Sequence, residues 1–194
     1  MTRIIGGSAG GRRLRTPAGA ATRPTSDRVR EALFSSLEAG LGTLAGRRVL
    51  DLYAGSGAVG LEAASRGAAA VTAVESDRRT ARLVAANAAA VGLAVEVLTA
   101  PVATVLARPP AVPFDVVFAD PPYAVDEGEV ADMLRLLVGQ GWLVDGSTVV
   151  VERATRSVEP HWPAGLVGAR RRGYGETVLW YVHADLADDR GRRS

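Results

Sequence analysis

Residues 47–60 read RRVLDLYAGSGAVG and join a short apolar strand to a glycine-rich turn. The turn has the pattern Gly-x-Gly-x-x-Gly, and residues 57–66 have the apolar spacing of a helix. Open parallel sheets bind cofactors beyond the carboxyl end of a strand at such a turn. The segment therefore predicts an α/β domain with a cofactor site at residues 55–60.

Apolar strands alternate with helical segments on both sides of this turn. We predict helices at residues 57–66, 77–91 and 127–140, and strands at residues 49–53, 70–75, 94–98, 114–119 and 147–152. A start signal at residues 24–27 predicts a further helix that extends to Gly40. Continuous apolar strands between helices indicate a parallel sheet buried on both faces. Residues 166–171 and 177–182 flank a Gly-Tyr-Gly turn and predict a C-terminal antiparallel hairpin.

Length and composition limit the kind of protein. The 194 residues, of which 47% are apolar and 23% charged, fit one globular domain. The chain contains no cysteine, which excludes a disulfide framework, a zinc–thiolate site and a thiol nucleophile. The sequence shows neither an apolar run of membrane-spanning length nor a signal peptide, so we expect a cytoplasmic protein with no membrane partner.

Positive charge is concentrated near the N-terminus. Residues 1–30 contain seven arginines and one acidic residue, whereas the remainder of the chain carries a net charge of −4. A basic segment on an acidic body is common in proteins that bind polyanions, and a solvated tail is the alternative. We predict a flexible basic arm at residues 1–24, a folded cofactor-binding domain at residues 25–184 and a disordered tail at residues 185–194.

The glycine pattern alone fits either a dinucleotide or S-adenosylmethionine. Glu75 ends the second predicted strand, 20 residues after Gly55, and could bind the ribose of either cofactor. Asp51 favours S-adenosylmethionine, because a carboxylate at this strand end would repel a pyrophosphate but attract an ammonium group. Two alternatives remain: an aspartate that only caps the turn through backbone amides, and a nicotinamide-dependent oxidoreductase.

A second motif, Asp120-Pro121-Pro122-Tyr123, follows the apolar strand at residues 114–119. Two consecutive prolines have a fixed φ and no amide hydrogen, so they form a rigid turn whose carbonyls can accept hydrogen bonds. Asp120 and the Pro121 carbonyl could accept both hydrogens of an exocyclic amine, and Tyr123 could stack on the base. The motif predicts methylation of a nucleobase amino group, and a simple loop after a buried strand is the alternative.

Together these motifs resemble the class I S-adenosylmethionine-dependent methyltransferases. The chain is closely similar to the bacterial family that methylates the 2-amino group of guanine 966 in 16S rRNA. The blocks that carry the resemblance lie at residues 3–7, 11–14, 23–31, 51–60, 62–68, 120–123 and 174–175. The resemblance implies a mostly parallel, seven-stranded Rossmann-like sheet with a C-terminal antiparallel hairpin, and makes residues 25–184 a methyltransferase domain.

The resemblance also implies roles for particular residues. The predicted catalytic residues are Asp120, Pro121, Pro122 and Tyr123. The predicted cofactor-binding residues are Asp51, Gly55, Ser56, Gly57, Glu75, Ser76, Ala100 and Asp120. Separately from the resemblance, the basic clusters of the arm and the hairpin give the predicted RNA-binding residues, which are Arg3, Arg12, Arg13, Arg15, Arg23, Arg28 and Arg171. We expect no metal site, and at Ala100 only the backbone is available to bind the adenine.

The expected substrate is 16S rRNA within an assembled or nearly assembled 30S subunit, methylated by a monomeric enzyme. The alternative is a DNA methyltransferase acting on the amino group of adenine or cytosine, for which the Asp-Pro-Pro-Tyr motif is equally suitable. However, 194 residues leave little chain for a domain that reads DNA sequence. A protein that only binds RNA would not require the cofactor turn.

Overall fold

The computed structural model describes residues 2–17, 26–122 and 124–186. Its helices are α1 (Asp27–Leu41), α2 (Ala58–Ser65), α3 (Arg78–Val91), α4 (Val102–Leu106) and α5 (Glu127–Gly139). Its strands are β1 (Thr2–Arg3), β2 (Arg13–Leu14), β3 (Arg48–Leu52), β4 (Ala70–Val74), β5 (Glu96–Leu98), β6 (Phe114–Ala119), β7 (Leu143–Ala154), β8 (Leu166–Tyr174) and β9 (Thr177–Ala184). No helix in these described ranges has the length and apolar character needed to cross a membrane.

Seven strands form the main sheet in the order β5-β4-β3-β6-β7-β9-β8. Strands β3 to β7 pair in parallel, whereas β9 runs antiparallel to both β7 and β8. This confirms the predicted mostly parallel sheet with a C-terminal hairpin. The strand order reverses at β3, which lies between β4 and β6, and such a switch point opens a crevice at the carboxyl ends of the strands.

Helices cover both faces of the sheet, as the continuous apolar strands predict. Alternate residues of β3 point to opposite faces: Leu50 and Leu52 pack with α4 and α5, whereas Val49 packs with α1 and α2. Asp51 therefore points to the same face as Val49, toward α2. The sheet therefore places the Asp51 carboxylate against α2, behind the crevice.

The predicted start of α1 is confirmed at its described residues. The Ser26 hydroxyl accepts a hydrogen bond from the Val29 amide at 3.3 Å, and Asp27 lies in the first turn. The N-cap aspartates of α3 and α5 are Asp77 and Asp126, and each accepts from an amide three residues later. These caps satisfy amides that have no partner within the helix.

Residues 2–17, the described part of the arm predicted to be flexible, pack against the domain. Ile4 and Leu14 are fully buried in an apolar cluster with α2 and α3, and β1 pairs with β2. Glu62, itself buried, accepts hydrogen bonds from the Ile5 amide at 2.6 Å and the Gly6 amide at 2.8 Å. The predicted arm boundary at residue 24 and most of the predicted tail lie outside the described residues.

Candidate active site

A cavity of about 1250 Å³ opens at the carboxyl edge of the sheet. Its lining includes the turns after β3, β4 and β6, the end of β7 and the β8–β9 turn. Ligand pockets commonly have volumes of roughly 300–1,000 Å³. The cavity is therefore large enough for a nucleoside-sized cofactor together with part of a second molecule.

Hydrogen bonds fix the glycine-rich turn against the end of β4. The Gly55 amide donates to one carboxylate oxygen of Glu75 at 3.0 Å, and the Asp77 amide donates to the other at 2.9 Å. Gly57 has a φ of 78°, and a Cβ there would lie 2.7 Å from the Cγ1 of Val84. Glycine at position 57 therefore lets α2 begin directly against α3.

Asp51 lies behind the glycine-rich turn and does not line the cavity. Its side chain is 1% exposed, and one carboxylate oxygen accepts the Gly60 amide at 2.8 Å. Burial raises the pKa of Asp51 to about 7, the bond from Gly60 opposes that rise, and the charge of Glu75 adds to it. This is the turn-capping geometry anticipated as the alternative role, and contact with a donor ammonium stays a prediction.

The Asp-Pro-Pro turn begins next to β3. The Asp120 amide donates to the Leu52 carbonyl at 3.4 Å, and the Pro122 carbonyl accepts the Val125 amide at 2.9 Å. The Pro121 carbonyl accepts no hydrogen bond from the described residues. Asp120, Pro121 and Pro122 all line the cavity. Tyr123, the fourth predicted catalytic residue, lies outside the described residues.

The structure brings most of the predicted cofactor-binding residues into the cavity. Those that line it are Gly55, Ser56, Glu75, Ser76 and Asp120. Asp51, Gly57 and Ala100 do not line it, although residues 101–103, which follow Ala100, do. The two predicted motifs thus meet in one space.

The predicted RNA-binding arginines lie on the surface instead. The described ones are exposed and do not line the cavity: Arg3, Arg12, Arg13, Arg15, Arg28 and Arg171. Arg3 forms a 3.5 Å ion pair with Asp27, and Arg12 donates to the Ala90 carbonyl at 3.4 Å. Arg23 lies outside the described residues. RNA contacts by these side chains stay a prediction.

Sequence reasoning missed a charged pair at the end of β7. Glu152 and Arg153 line the cavity, and the Arg153 side chain is only 8% exposed. Its guanidinium forms an ion pair with Glu127 and donates to the Val125 carbonyl at 3.3 Å, just beyond the Asp-Pro-Pro turn. The sequence does contain a pattern that could have predicted this pair: two charged residues follow an apolar run at the carboxyl end of a predicted parallel strand.

Sequence reasoning also missed the N-terminal wall of the cavity. Thr16, Pro17 and Val29 line this side of the cavity. Ser56 also lines the cavity, and its backbone is hydrogen-bonded to the Asn87 side chain. Asn87 accepts the Arg15 amide at 3.0 Å and donates to the Arg15 and Ser56 carbonyls, both at 2.9 Å. No local pattern in the sequence indicates this contact, because residues 15, 56 and 87 meet only in the folded chain.

Residues 2–183 match the family model described as Conserved hypothetical protein 95. The chain belongs to this family. Ribosomal RNA small subunit methyltransferase D of Escherichia coli (strain K12) is 38% identical over 177 residues, which cover 91% of this chain and 86% of that protein. The family resemblance predicted from the motifs is thereby confirmed.

Solved structures of methyltransferases share the fold. A putative methyltransferase, yhhF, from Escherichia coli superimposes with a TM-score of 0.83 at 35% identity, covering 95% of this chain and 98% of that one. A Thermus thermophilus 16S rRNA N2 methyltransferase, in complex with AdoMet and guanosine, gives a TM-score of 0.65 at 21% identity, covering 87% of this chain and 45% of that one. The first likeness confirms the class I methyltransferase fold, and the second shows the fold alone.

Proposed function

We propose that the protein transfers a methyl group from S-adenosylmethionine to the exocyclic 2-amino group of a guanine in 16S rRNA. One observation carries the proposal: the glycine-rich turn with Glu75 and the Asp120-Pro121-Pro122 turn open into the same cavity. Membership of a family with a relative named ribosomal RNA small subunit methyltransferase D supports the substrate class. We place the reaction in the cytoplasm, where ribosomal subunits assemble.

The residues at the β3 and β4 ends fit S-adenosylmethionine. Glu75 is held by two backbone amides, and each of its oxygens keeps a lone pair for a ribose hydroxyl. Gly55 and Ser56 would face the methionine part, and the apolar residues Pro101 and Val102 would lie against the adenine. When bound, this cofactor supplies an electrophilic methyl group.

The Asp-Pro-Pro turn would orient the target base. The lone pair of a guanine amino group is delocalised into the ring, which makes the nitrogen a poor nucleophile. Asp120 and the Pro121 carbonyl would accept its two hydrogens and direct the lone pair toward the methyl group. As the nitrogen–carbon bond would form, the methyl–sulfur bond would break and leave the donor as a neutral thioether, and one of these hydrogens would leave as a proton through Asp120 to water. Orientation of this kind lowers barriers by up to roughly 7–11 kcal/mol.

We further propose that a single copy of the chain acts on an assembled or nearly assembled small subunit. Residues 26–122 and 124–186 form one seven-stranded sheet with its helices and contain no added RNA-binding domain. An enzyme built this way depends on its substrate to present the base. A folded subunit would present one guanine, whereas free rRNA offers many.

Methyl transfer to a panel of substrates tests the proposal. Labelled S-adenosylmethionine is incubated with unmethylated small subunits, naked 16S rRNA and duplex DNA, and the labelled nucleoside is identified. We expect 2-methylguanosine, formed faster in subunits than in naked rRNA. Labelled N6-methyladenine or N4-methylcytosine in DNA would overturn the substrate while leaving the cofactor site intact.

A further inference from the structure

A second, shallow groove of about 340 Å³ lies between α1 and β8. Ser35 and Ser36 of α1 line one side, Arg170 and Arg172 of β8 line the other, and Tyr181 of β9 contributes to its lining. The groove follows the same two elements that reach the active site. Val29, near the start of α1, and Tyr174, at the end of β8, both line the active-site cavity.

Strand alternation directs two of three consecutive arginines into this groove. Arg170 pairs with Tyr181 and Arg172 with Leu179, and both partners belong to the core cluster under α1. Arg171 pairs with Trp180, which belongs to the cluster on the opposite face, under α5. Since directly paired residues share a face, Arg171 points away from the groove.

The groove is electropositive. Arg170 and Arg172 are exposed, and neither forms an ion pair with any described carboxylate. The pKa of Tyr181 is raised by burial and by the neighbouring Tyr174, and Ser36 and the positive charges of Arg172 and Arg170 only partly oppose this rise. Two guanidinium groups that share one groove, without a described carboxylate partner, are suited to bind an anion.

Hydroxyl donors complete the site. The buried Tyr181 hydroxyl lies beside the Ser36 side chain, and Ser35 and Ser36 line the groove. Guanidinium groups bind phosphate oxygens in bidentate fashion, and serine and tyrosine hydroxyls donate to the same oxygens in nucleic-acid complexes. The donor set matches a tetrahedral phosphate.

We infer that the groove between α1 and β8 binds a backbone phosphate of the RNA whose base enters the active site. The inference rests on the proposed function, since that RNA is the proposed substrate. The continuity of α1 and β8 with the active-site cavity favours the substrate strand over an unrelated anion. The phosphate would fix the strand relative to the catalytic turn without reading its sequence.

RNA binding by paired arginine variants tests the inference. Affinity for a fluorescently labelled 16S rRNA fragment is measured by anisotropy at several salt concentrations. We expect the double variant R170A/R172A to bind about tenfold more weakly, with a salt slope smaller by about 0.7–1. In methyl transfer to small subunits the same variant should raise KM and leave kcat unchanged.

The matched control removes two arginines from the other side of the sheet. R108A/R135A changes the net charge equally but affects exposed residues that follow α4 and lie in α5, so RNA affinity should stay within about twofold of wild type. Y181F, which removes only the hydroxyl, should weaken RNA binding less than R170A/R172A does. Equal losses in both double variants would overturn the groove, because they would indicate a general effect of charge.

Single variants distinguish the groove from the opposite face of β8. R172A should weaken RNA binding more than R171A does, because Arg172 lines the groove and Arg171 does not. Equal losses of RNA affinity in R172A and R171A would overturn the inference. It would also be overturned if the groove of the wild-type chain binds inorganic phosphate but R170A/R172A keeps full RNA affinity. If the wild-type chain methylates no guanine but R170A/R172A still loses RNA affinity, the proposed function fails and the groove stands.

Discussion

Burial acts unequally on the two carboxylates near the glycine-rich turn. Glu75 is partly exposed and held by two amides, whereas Asp51 is almost completely buried and holds one. The pKa of Asp51 is raised to about 7, chiefly by burial. Asp51 can therefore change its charge near neutral pH while it remains bonded to the turn.

We expect donor binding to depend on pH through Asp51. Pairing with the donor ammonium requires the carboxylate, which below pH 7 is largely protonated. Affinity for S-adenosylmethionine should therefore rise about tenfold between pH 6 and pH 8. Calorimetric titration of the wild-type chain and Asp51→Asn measures this. Identical pH profiles for the two would show that Asp51 only caps the turn.

The same pKa shift has the opposite effect on stability. Because folding raises the pKa of Asp51 above its usual 3.8, its contribution is fully present below about pH 4 and is lost as the pH rises through about 7. Asp51→Asn should therefore lose less stability than wild type between pH 5 and pH 8. Urea unfolding at both pH values gives the comparison, and a larger loss in the variant would contradict the shift.

Gly57 is expected to be intolerant of a side chain. Gly57→Ala would combine a left-handed backbone with a clash against Val84, at a cost of about 2–4 kcal/mol in the free energy of unfolding. Gly92 is the matched control, since it has a φ of 71° but open space around a Cβ. Gly92→Ala should cost only about 1–2 kcal/mol. Equal losses in urea unfolding would exclude the Val84 contact as the cause.

The β1–β2 segment and the glycine-rich turn are joined through one helix residue. Asn87 in α3 is 3% exposed and makes three hydrogen bonds to the backbone of Arg15 and Ser56. The N-terminal segment is thereby connected to the turn that lines the cofactor site. A displacement of the N-terminal segment should therefore also move the glycine-rich turn.

Asn87→Leu tests this connection. It keeps a similar volume but leaves buried amide and carbonyl groups without partners, at a cost of about 1–3 kcal/mol. We expect faster hydrogen exchange in residues 2–17 and weaker binding of S-adenosylmethionine. Leu83→Ala, on a less buried position of the same helix, is the control for general helix destabilisation. Unchanged exchange in residues 2–17 would refute the connection.

Local periodicity predicted the elements that have a strong local signal. Every predicted strand and helix between residues 27 and 184 has a counterpart, including the antiparallel hairpin. The five-residue helix α4 and the two-residue strands β1 and β2 were not predicted, because such short elements show no period of their own. They are stabilised by contacts distant in sequence: Val102 and Leu106 of α4 pack in the core with α5, and Leu14 of β2 packs with α2 and α3.

The active-site cavity draws on both ends of the chain. Thr16 and Pro17 approach it from the N-terminal side, and residues 174–177 approach it from the C-terminal hairpin. The sequence motifs located the centre of the site because the ends of parallel strands meet at one edge. The outer walls could not be predicted from the sequence. Their position depends on the packing of the β1–β2 segment and on the β7-β9-β8 strand order.

The proposed reaction requires the Asp-Pro-Pro turn to orient a guanine amino group beside bound S-adenosylmethionine. Single-turnover methyl transfer to unmethylated small subunits by wild type and Asp120→Ala, with donor affinity measured in parallel, tests it most directly. We predict 2-methylguanosine with the wild-type chain, and a rate lower by about a hundredfold or more in Asp120→Ala, which still binds the donor. Transfer at the wild-type rate by Asp120→Ala, or a product methylated at another position, would show that the turn does not orient this amino group.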